Sequence, residues 1–271
     1  LGVYKRLIAL YQKEEIEFSR IVAFSLDEYL GFKENHPQSF AYYLEKNFYQ
    51  HFCDLMVEIL KGFSISEKEI KKRIRVKNLD LIVDYYQKNR NIILYAAHHG
   101  NWEWLTFISL FVPYKTITLY QPLSNNYFNE LMKCIRERPG TLCVESEKGY
   151  KTILQHIQQG QLTFSALIGD QSPPKASSPY WVNFLNQETA FLTGDARIIE
   201  KTNQDVIFPE FKKIKRGKYE IEFKVLKKRA QNNGSLACID NYAIQLENTI
   251  NRYPEMWLWS HRRWKLSRSS A

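Results

Sequence analysis

The 271-residue sequence contains no uninterrupted apolar run of about 18 residues, so no segment of it reads as a membrane span. Cysteine is scarce: Cys53, Cys134, Cys143 and Cys238 are the four, and no two stand at close paired spacing. That excludes a disulfide scaffold and argues against a zinc knuckle or a redox pair. The thiols are expected to be buried in a protein of a reducing compartment. Eleven glycines and nine prolines are too few for a collagen-like or disordered chain. The G-x-S-x-G elbow of serine hydrolases is missing, as is the H-E-x-x-H zinc motif. No zinc finger, helix-turn-helix or aromatic RNP pattern accompanies the basic runs, so nucleic acid is not an expected partner.

What the chain does have is ordinary globular bulk with two biases. Hydrophobic residues make up 44% and charged residues 25%, while aromatics reach 14% and the formal net charge is +9. A basic surface suits nucleic acid, an anionic membrane or an acidic substrate. The aromatic content favours the membrane, because amphipathic rings sit well at headgroup level. The Trp257, Trp259, Trp264 stripe, with His261, Arg262, Arg263 and Lys265, reads equally as an interfacial patch or as tryptophans packed into a core with only the basic residues outside.

Periodicity divides the chain in two. Residues 3–30, 40–60, 67–73 and 78–88 read as helices, with Ser66 and Glu69 forming a capping box before the third. From Ile92 the pattern changes to short apolar strands at 92–97, 115–120, 142–144, 162–168, 206–211 and 219–226. Helices alternate with them at 102–111, 127–137, 150–159, 193–201 and 242–252. Such alternation predicts an α/β fold with a mixed, mostly parallel sheet flanked by helices. No repeat or low-complexity linker divides it. The expected organisation is a single domain over 1–271, with a helical N-terminal layer at 1–90 and an α/β core at 91–271.

Polar residues gather after the first of those strands: His98, His99, Gly100, Asn101 and Glu103. In open α/β sheets reactive groups collect beyond the carboxyl ends of strands, and an imidazole beside a carboxylate suits general base work. Spacing leaves the choice of histidine open. His99 and Glu103 are four apart and could share a helix face. His98 reaches Glu103 only if the chain turns, which Gly100 permits. The Gly100 and Asn101 amides could form an anion or oxyanion site at the helix terminus. The bland alternative is two histidines in a helix cap. Asp170 ends another apolar strand and could face the same cleft, or serve as an N-cap or Asx-turn before Pro173 and Pro174. Spacing nominates no metal ligand set.

The run His98-His99-Gly100-Asn101-Trp102-Glu103 resembles the H-x4-D/E motif of glycerolipid acyltransferases, in the form used by the late lipid A acyltransferases. Further segments resemble that family in chain order: Tyr120-Gln121-Pro122-Leu123-Ser124-Asn125, Leu167-Ile168-Gly169-Asp170-Gln171, the helix around Thr193-Gly194 and Ala196-Arg197 with Pro209 beyond it, and Tyr253 to Lys265. The resemblance covers about residues 40 to 265. It implies acyl transfer from an acyl thioester, carried by acyl carrier protein or coenzyme A, to a hydroxyl of a lipid A precursor or related bacterial lipid. His98 would be the base and Glu103 would orient and charge-balance its ring. No cofactor is implied. The implied place is the cytoplasmic face of the bacterial inner membrane, peripheral or anchored by a segment absent from this chain.

Two departures stand out. Gln121 replaces the arginine that many relatives carry, so a phosphate-bearing headgroup would need another cation, such as Arg136, Arg138 or Arg197. His99 stands where relatives often carry phenylalanine. The expected substrate-binding set is Gly100, Asn101, Gln121, Arg136, Asp170 and Arg197. An apolar groove should lead to His98, walled by Phe48, Phe52, Leu55 and Met56 or by Trp102 and Phe107. The competing expectation is a non-catalytic membrane- or nucleic-acid-binding protein on the same fold, against which the presence of both His98 and Glu103 argues.

Overall fold

Strand β2 (Ile92–Ala96) has no charged residue and every one of its five residues is buried. A strand of that composition belongs in the middle of a sheet covered on both faces. The computed structural model, which describes residues 40–175, 177–229 and 234–268, places it there. Parallel to β2 run β5 (Thr163–Ile168) on one side and β8 (Asp205–Lys215) on the other. Beyond β5 come β3 (Lys115–Tyr120) and then β4 (Leu142–Glu145). Beyond β8 come β9 (Lys218–Lys227) and β1 (Ile74–Val76). Only the β8–β9 pair is antiparallel, so the seven-stranded sheet is mixed and mostly parallel, as the alternating pattern predicts.

Helices cover both faces. They are α1 (Phe40–Lys61), α2 (Glu67–Arg73), α3 (Leu79–Gln87), α4 (Asn126–Glu137), α5 (Ser146–Gln158), α6 (Thr193–Thr202) and α7 (Gly234–Arg252). Ser66 caps α2 by accepting the Glu69 amide, as its sequence signature predicts. Because side chains alternate along a strand, β2 feeds two separate cores. Ile93 and Tyr95 pack with Tyr242 and Leu246 of α7. Leu94 and Ala96 pack with Trp104 and Phe107 on the other face.

Several elements differ from their sequence expectation. Residues 102–111 read as an α-helix, but Trp102–Leu110 is a 3₁₀ helix. The Thr106 and Ser109 hydroxyls donate to the carbonyls three residues back, of Glu103 and Thr106, and compete there with the α-helical ladder. Helix α7 begins eight residues before Tyr242, and α5 four residues before Tyr150. The segment after Pro174 carries an unanticipated hairpin, β6 (Tyr180–Phe184) and β7 (Gln187–Phe191). Its turn residues Leu185 and Asn186 both have positive φ. The helix expected over 3–30 lies outside the described residues. The C-terminal tryptophans resolve as core: Trp257 and Trp259 are buried, and Trp264 packs against the same cluster. Arg263 is buried with them, its Nη2 donating to the Ala190 carbonyl, so the basic residues of that stripe do not all face outward.

Candidate active site

His98 follows β2 and Asp170 follows β5, and those strands are neighbours paired in register through Ala96 and Ile168. The two side chains therefore meet above the sheet. His98 Nδ1 donates to Asp170 Oδ1 at 2.7 Å, and the His98 amide donates to Oδ2 at 3.0 Å. Trp257 Nε1 donates to the same Oδ2 at 2.8 Å, which locks the carboxylate. With Nδ1 committed to Asp170, Nε2 is the nitrogen left with a lone pair. It points to the cavity side, where Gln171 Nε2 lies 3.4 Å away. Burial opposes charging of the ring. The Asp170 carboxylate outweighs that, with a smaller contribution from Glu103, and holds the His98 pKa above the ordinary histidine value. Asp170 is displaced the other way: burial pushes its pKa up, but the His98 charge and hydrogen bonds with His98 and Trp257 bring it below the usual value.

The loop beneath is clamped from several sides. Gly100 has φ +68°, and a Cβ there would come within 2.6 Å of Phe211, so the turn requires glycine. Its N–H is already donated to the Met256 carbonyl at 2.9 Å, and His51 Nε2 donates to its carbonyl at 3.2 Å. Asn101 is fully buried: it caps the 3₁₀ helix by accepting the Trp104 amide and donates to Glu58 Oε2 at 2.7 Å. Gly100 and Asn101 thus build the floor of the site and do not line the cavity. The Gly100 amide in particular has no free hydrogen for an oxyanion. His99 is buried, donates Nε2 to the Tyr253 carbonyl at 3.1 Å, and has its pKa lowered to about 4 by burial.

The carboxylate paired with the imidazole is therefore Asp170. Glu103 instead binds Arg136 through two parallel hydrogen bonds, 2.8 Å from Nε and 2.6 Å from Nη2. Burial lowers the Arg136 pKa, but the Glu103 bonds outweigh it and fix the guanidinium charge. Nothing in the spacing 98, 103, 136 and 170 announces this exchange. The one available signal was Asp170 at a strand end next in the sheet to β2.

A cavity of about 460 Å³ opens beside His98, within the range of small-ligand sites. The ladder between β3 and β5 ends at Thr118 and Ala166, and residues of both strands line the cavity. On one face of the sheet the walls are Trp102, Leu105 and Ile108 of the 3₁₀ helix with Thr118, Phe164 and Ile168. On the other they are Leu119, Leu167, Leu192 and Ile198. Of the wall residues expected from sequence, Trp102 contributes, but Phe48, Phe52, Leu55, Met56 and Phe107 do not. The buried face of α1 runs Leu44, Phe48, His51, Leu55, Glu58, and Met56 lies on its outer side. Glu103, Arg136 and Gln171 line the cavity near His98, and Gln121 and Leu123 stand at its rim. Among the three cations proposed to replace an arginine at 121, only Arg136 lines it. Arg138 donates to the Gly62 and Ile65 carbonyls, and Arg197 is exposed on α6 away from the lining.

Residues 41–266 match the family model of the bacterial lipid A biosynthesis acyltransferases. The chain belongs to that family. The matched residues include both halves of the His98–Asp170 pair. Shorter stretches are similar to glucosamine-6-phosphate deaminases. One from Thermoanaerobacter sp. (strain X514) is 49% identical over 51 residues, 19% of this chain and 20% of that protein. One from Borrelia garinii subsp. bavariensis is 39% identical over 82 residues, 28% of this chain and 30% of that protein. The chain thus spans no more than about a third of the length of these curated relatives.

Proposed function

We propose that this acyltransferase moves a fatty acyl group from an acyl thioester, on acyl carrier protein or coenzyme A, to a hydroxyl of a lipid A precursor or related bacterial lipid. The observation that carries the reading is a His98–Asp170 pair whose free nitrogen faces an apolar cavity large enough for a chain. His98 Nε2 takes the acceptor hydroxyl proton, and Asp170 holds the ring in the right tautomer and stabilises the imidazolium. The oxygen bonds to the thioester carbonyl carbon, the C–S bond breaks, and the departing thiolate takes the proton from the imidazolium. Glu103 acts through Arg136, whose fixed charge faces the cavity and stabilises negative charge on the substrate. A cysteine nucleophile is not part of this scheme. Cys143 and Cys238 are pushed by burial to about 12 and about 11, and none of the four cysteines lines the cavity.

The lipid enters over the rim at Leu123, beside which Tyr127 and Phe128 stand exposed. No helix among the described residues is long and apolar enough to cross a membrane. The proposed place is an anionic inner-membrane surface at its cytoplasmic face, reached peripherally or through a segment outside this sequence.

Purified protein assayed with both donor types and a panel of lipid acceptors tests the function. Transfer is expected from at least one donor. It should fall about 10²–10⁴-fold in His98→Ala. His99→Ala should stay active once circular dichroism confirms folding. An active His98→Ala with a dead His99→Ala overturns the assignment of the base.

A further inference from the structure

The segment after α7 ties both halves of the His98–Asp170 pair to the core. Leu258 donates its amide to the His98 carbonyl at 3.0 Å, and His99 and Trp257 form an antiparallel bridge. Trp257 reaches Asp170, and His261 Nε2 accepts the Ser172 amide at 3.1 Å. Arg263 comes next. It is 2% exposed and does not line the cavity. Its Nη2 donates to the Ala190 carbonyl of β7, and its guanidinium lies 4.6 Å over the Phe191 ring. Nε and Nη1 are buried without a hydrogen-bond partner.

A buried guanidinium with idle donors is a costly tether for one carbonyl, which a neutral donor would serve as well. What offsets a charge there is another charge. Asp170 is the group that acts most strongly in favour of the Arg263 cation, and it lowers the cost that burial imposes. Phe191, Tyr242 and Trp257 belong to one core cluster, in which Arg263 stacks on the first and Asp170 is bonded by the last. Charges are weakly screened in such a core. The Arg263 pKa is brought down to about 10, so the cation persists at neutral pH.

The other titratable groups around Arg263 leave Asp170 as the charge it serves. Tyr95 of β2 and Tyr242 of α7 are kept protonated by burial. His261 is held neutral by burial and by neighbouring cations, at about 4. Asp195 of α6 is bonded to the Tyr95 hydroxyl and is pushed by burial to about 7. On the cavity side His98 faces Glu103 and Arg136, which pair with each other.

We propose that Arg263 is a positioning residue for the base: a buried cation on the core side of Asp170 that keeps this carboxylate ionised and sets the pH at which His98 becomes a neutral base. This rests on the reading of His98 as the general base. The sign follows from Coulomb's law. A cation beside the pair disfavours the imidazolium and favours the carboxylate, so its removal raises both pKa values. The acidic limb of kcat/KM then moves to higher pH, opposite to the shift that loss of the Asp170 carboxylate produces.

The test is an NMR titration of the full chain labelled with ¹⁵N-histidine, with His98→Ala to assign the signal, beside the pH profile of kcat/KM. In Arg263→Gln, which keeps a donor for Ala190, the His98 ring should titrate about half a unit to one unit higher. Arg263→Met should do the same, and Arg263→Lys should keep the parent value. Slower turnover with an unmoved His98 titration would make Arg263 a tether only and overturn the inference. So would a shift that vanishes in an Asp195→Asn background, since Asp195 would then be the group responsible. A ring titration that moves while the limb of the rate profile stays fixed would overturn the reading of His98 as base and leave the charge link standing. If neither uncharged variant folds, Arg263→Gln combined with Asp170→Asn decides. A cation that serves Asp170 is not needed once the carboxylate is gone, so folding should be restored, and its failure to return would overturn the link.

Discussion

Asp170 serves three donors with two oxygens: the His98 ring, the His98 amide and Trp257 Nε1. Its effect on His98 fixes a pH dependence. General base work needs the neutral ring, so activity should rise with pH through the His98 pKa, which lies above the ordinary 6.5. In Asp170→Asn the carboxylate that raises this pKa is gone, while burial, which lowers it, stays. The acidic limb of the kcat/KM profile should therefore move to lower pH, and the plateau should fall by about 10²–10⁴-fold because the tautomer is no longer enforced. A profile whose acidic limb does not move would mean that another group titrates. Glu103 was the partner that the family resemblance implied for His98, whereas helix spacing alone would have paired it with His99. The separation along the chain says which groups can be near, but the bidentate geometry of Arg136 decided which one Glu103 holds.

At the scale of elements, β2 was legible because a run of apolar residues bounded by polar ones has few other uses, and the alternation of strands and helices fixed the class of sheet. What periodicity could not show is polar chemistry on a buried helix face. Helix α1 turns His51, Asp54 and Glu58 inward along with Leu44, Phe48 and Leu55, while Tyr43 and Met56 face out. A pattern reading that assigns the apolar residues inward cannot find this, because the partners lie far along the chain. Glu58 accepts from Asn101 and Tyr219, and Asp54 pairs with Lys213 and Arg216. Likewise the tryptophan stripe near the C-terminus could be read either way until Trp257 was seen to reach Asp170. Removing the Glu58 carboxylate should leave two buried donors unserved, at a cost of about 1–3 kcal/mol for each group. Glu58→Ala is expected to lower the unfolding midpoint and slow turnover by loosening the loop that carries His98. Glu58→Gln, which keeps an acceptor, should recover part of both. Thermal unfolding and kcat measured together check this, and a Glu58→Ala protein with wild-type turnover would free the site from the buried network.

For the whole molecule, the proposed function asks how a lipid would pass from a bilayer to a site beyond the ends of the central strands β2 and β5. The formal charge of +9 supplies a long-range attraction to an anionic leaflet, but it is spread over the chain and screened by salt. The aromatic residues that could anchor the protein are not the C-terminal tryptophans, which are spent in the core. They are at the cavity rim, where the Asn125 side chain caps α4 by accepting the Phe128 amide, and Asn129 accepts the Leu123 amide. That ordered turn leaves Tyr127 91% exposed, with Phe128, Leu123 and Leu131 exposed beside it. Fully burying one such side chain is worth about 1.5–3 kcal/mol, so even partial insertion of two should change binding about tenfold or more. Sedimentation with vesicles containing anionic phospholipid should recover the protein at low salt and less of it at high salt. Tyr127→Ser with Phe128→Ser should weaken recovery at both, because the apolar contribution is not screened. Were the double variant to sediment as well as the parent at every salt concentration, the rim would not be the membrane contact. Were neutral and anionic vesicles to recover the parent equally, charge would not contribute to the attachment.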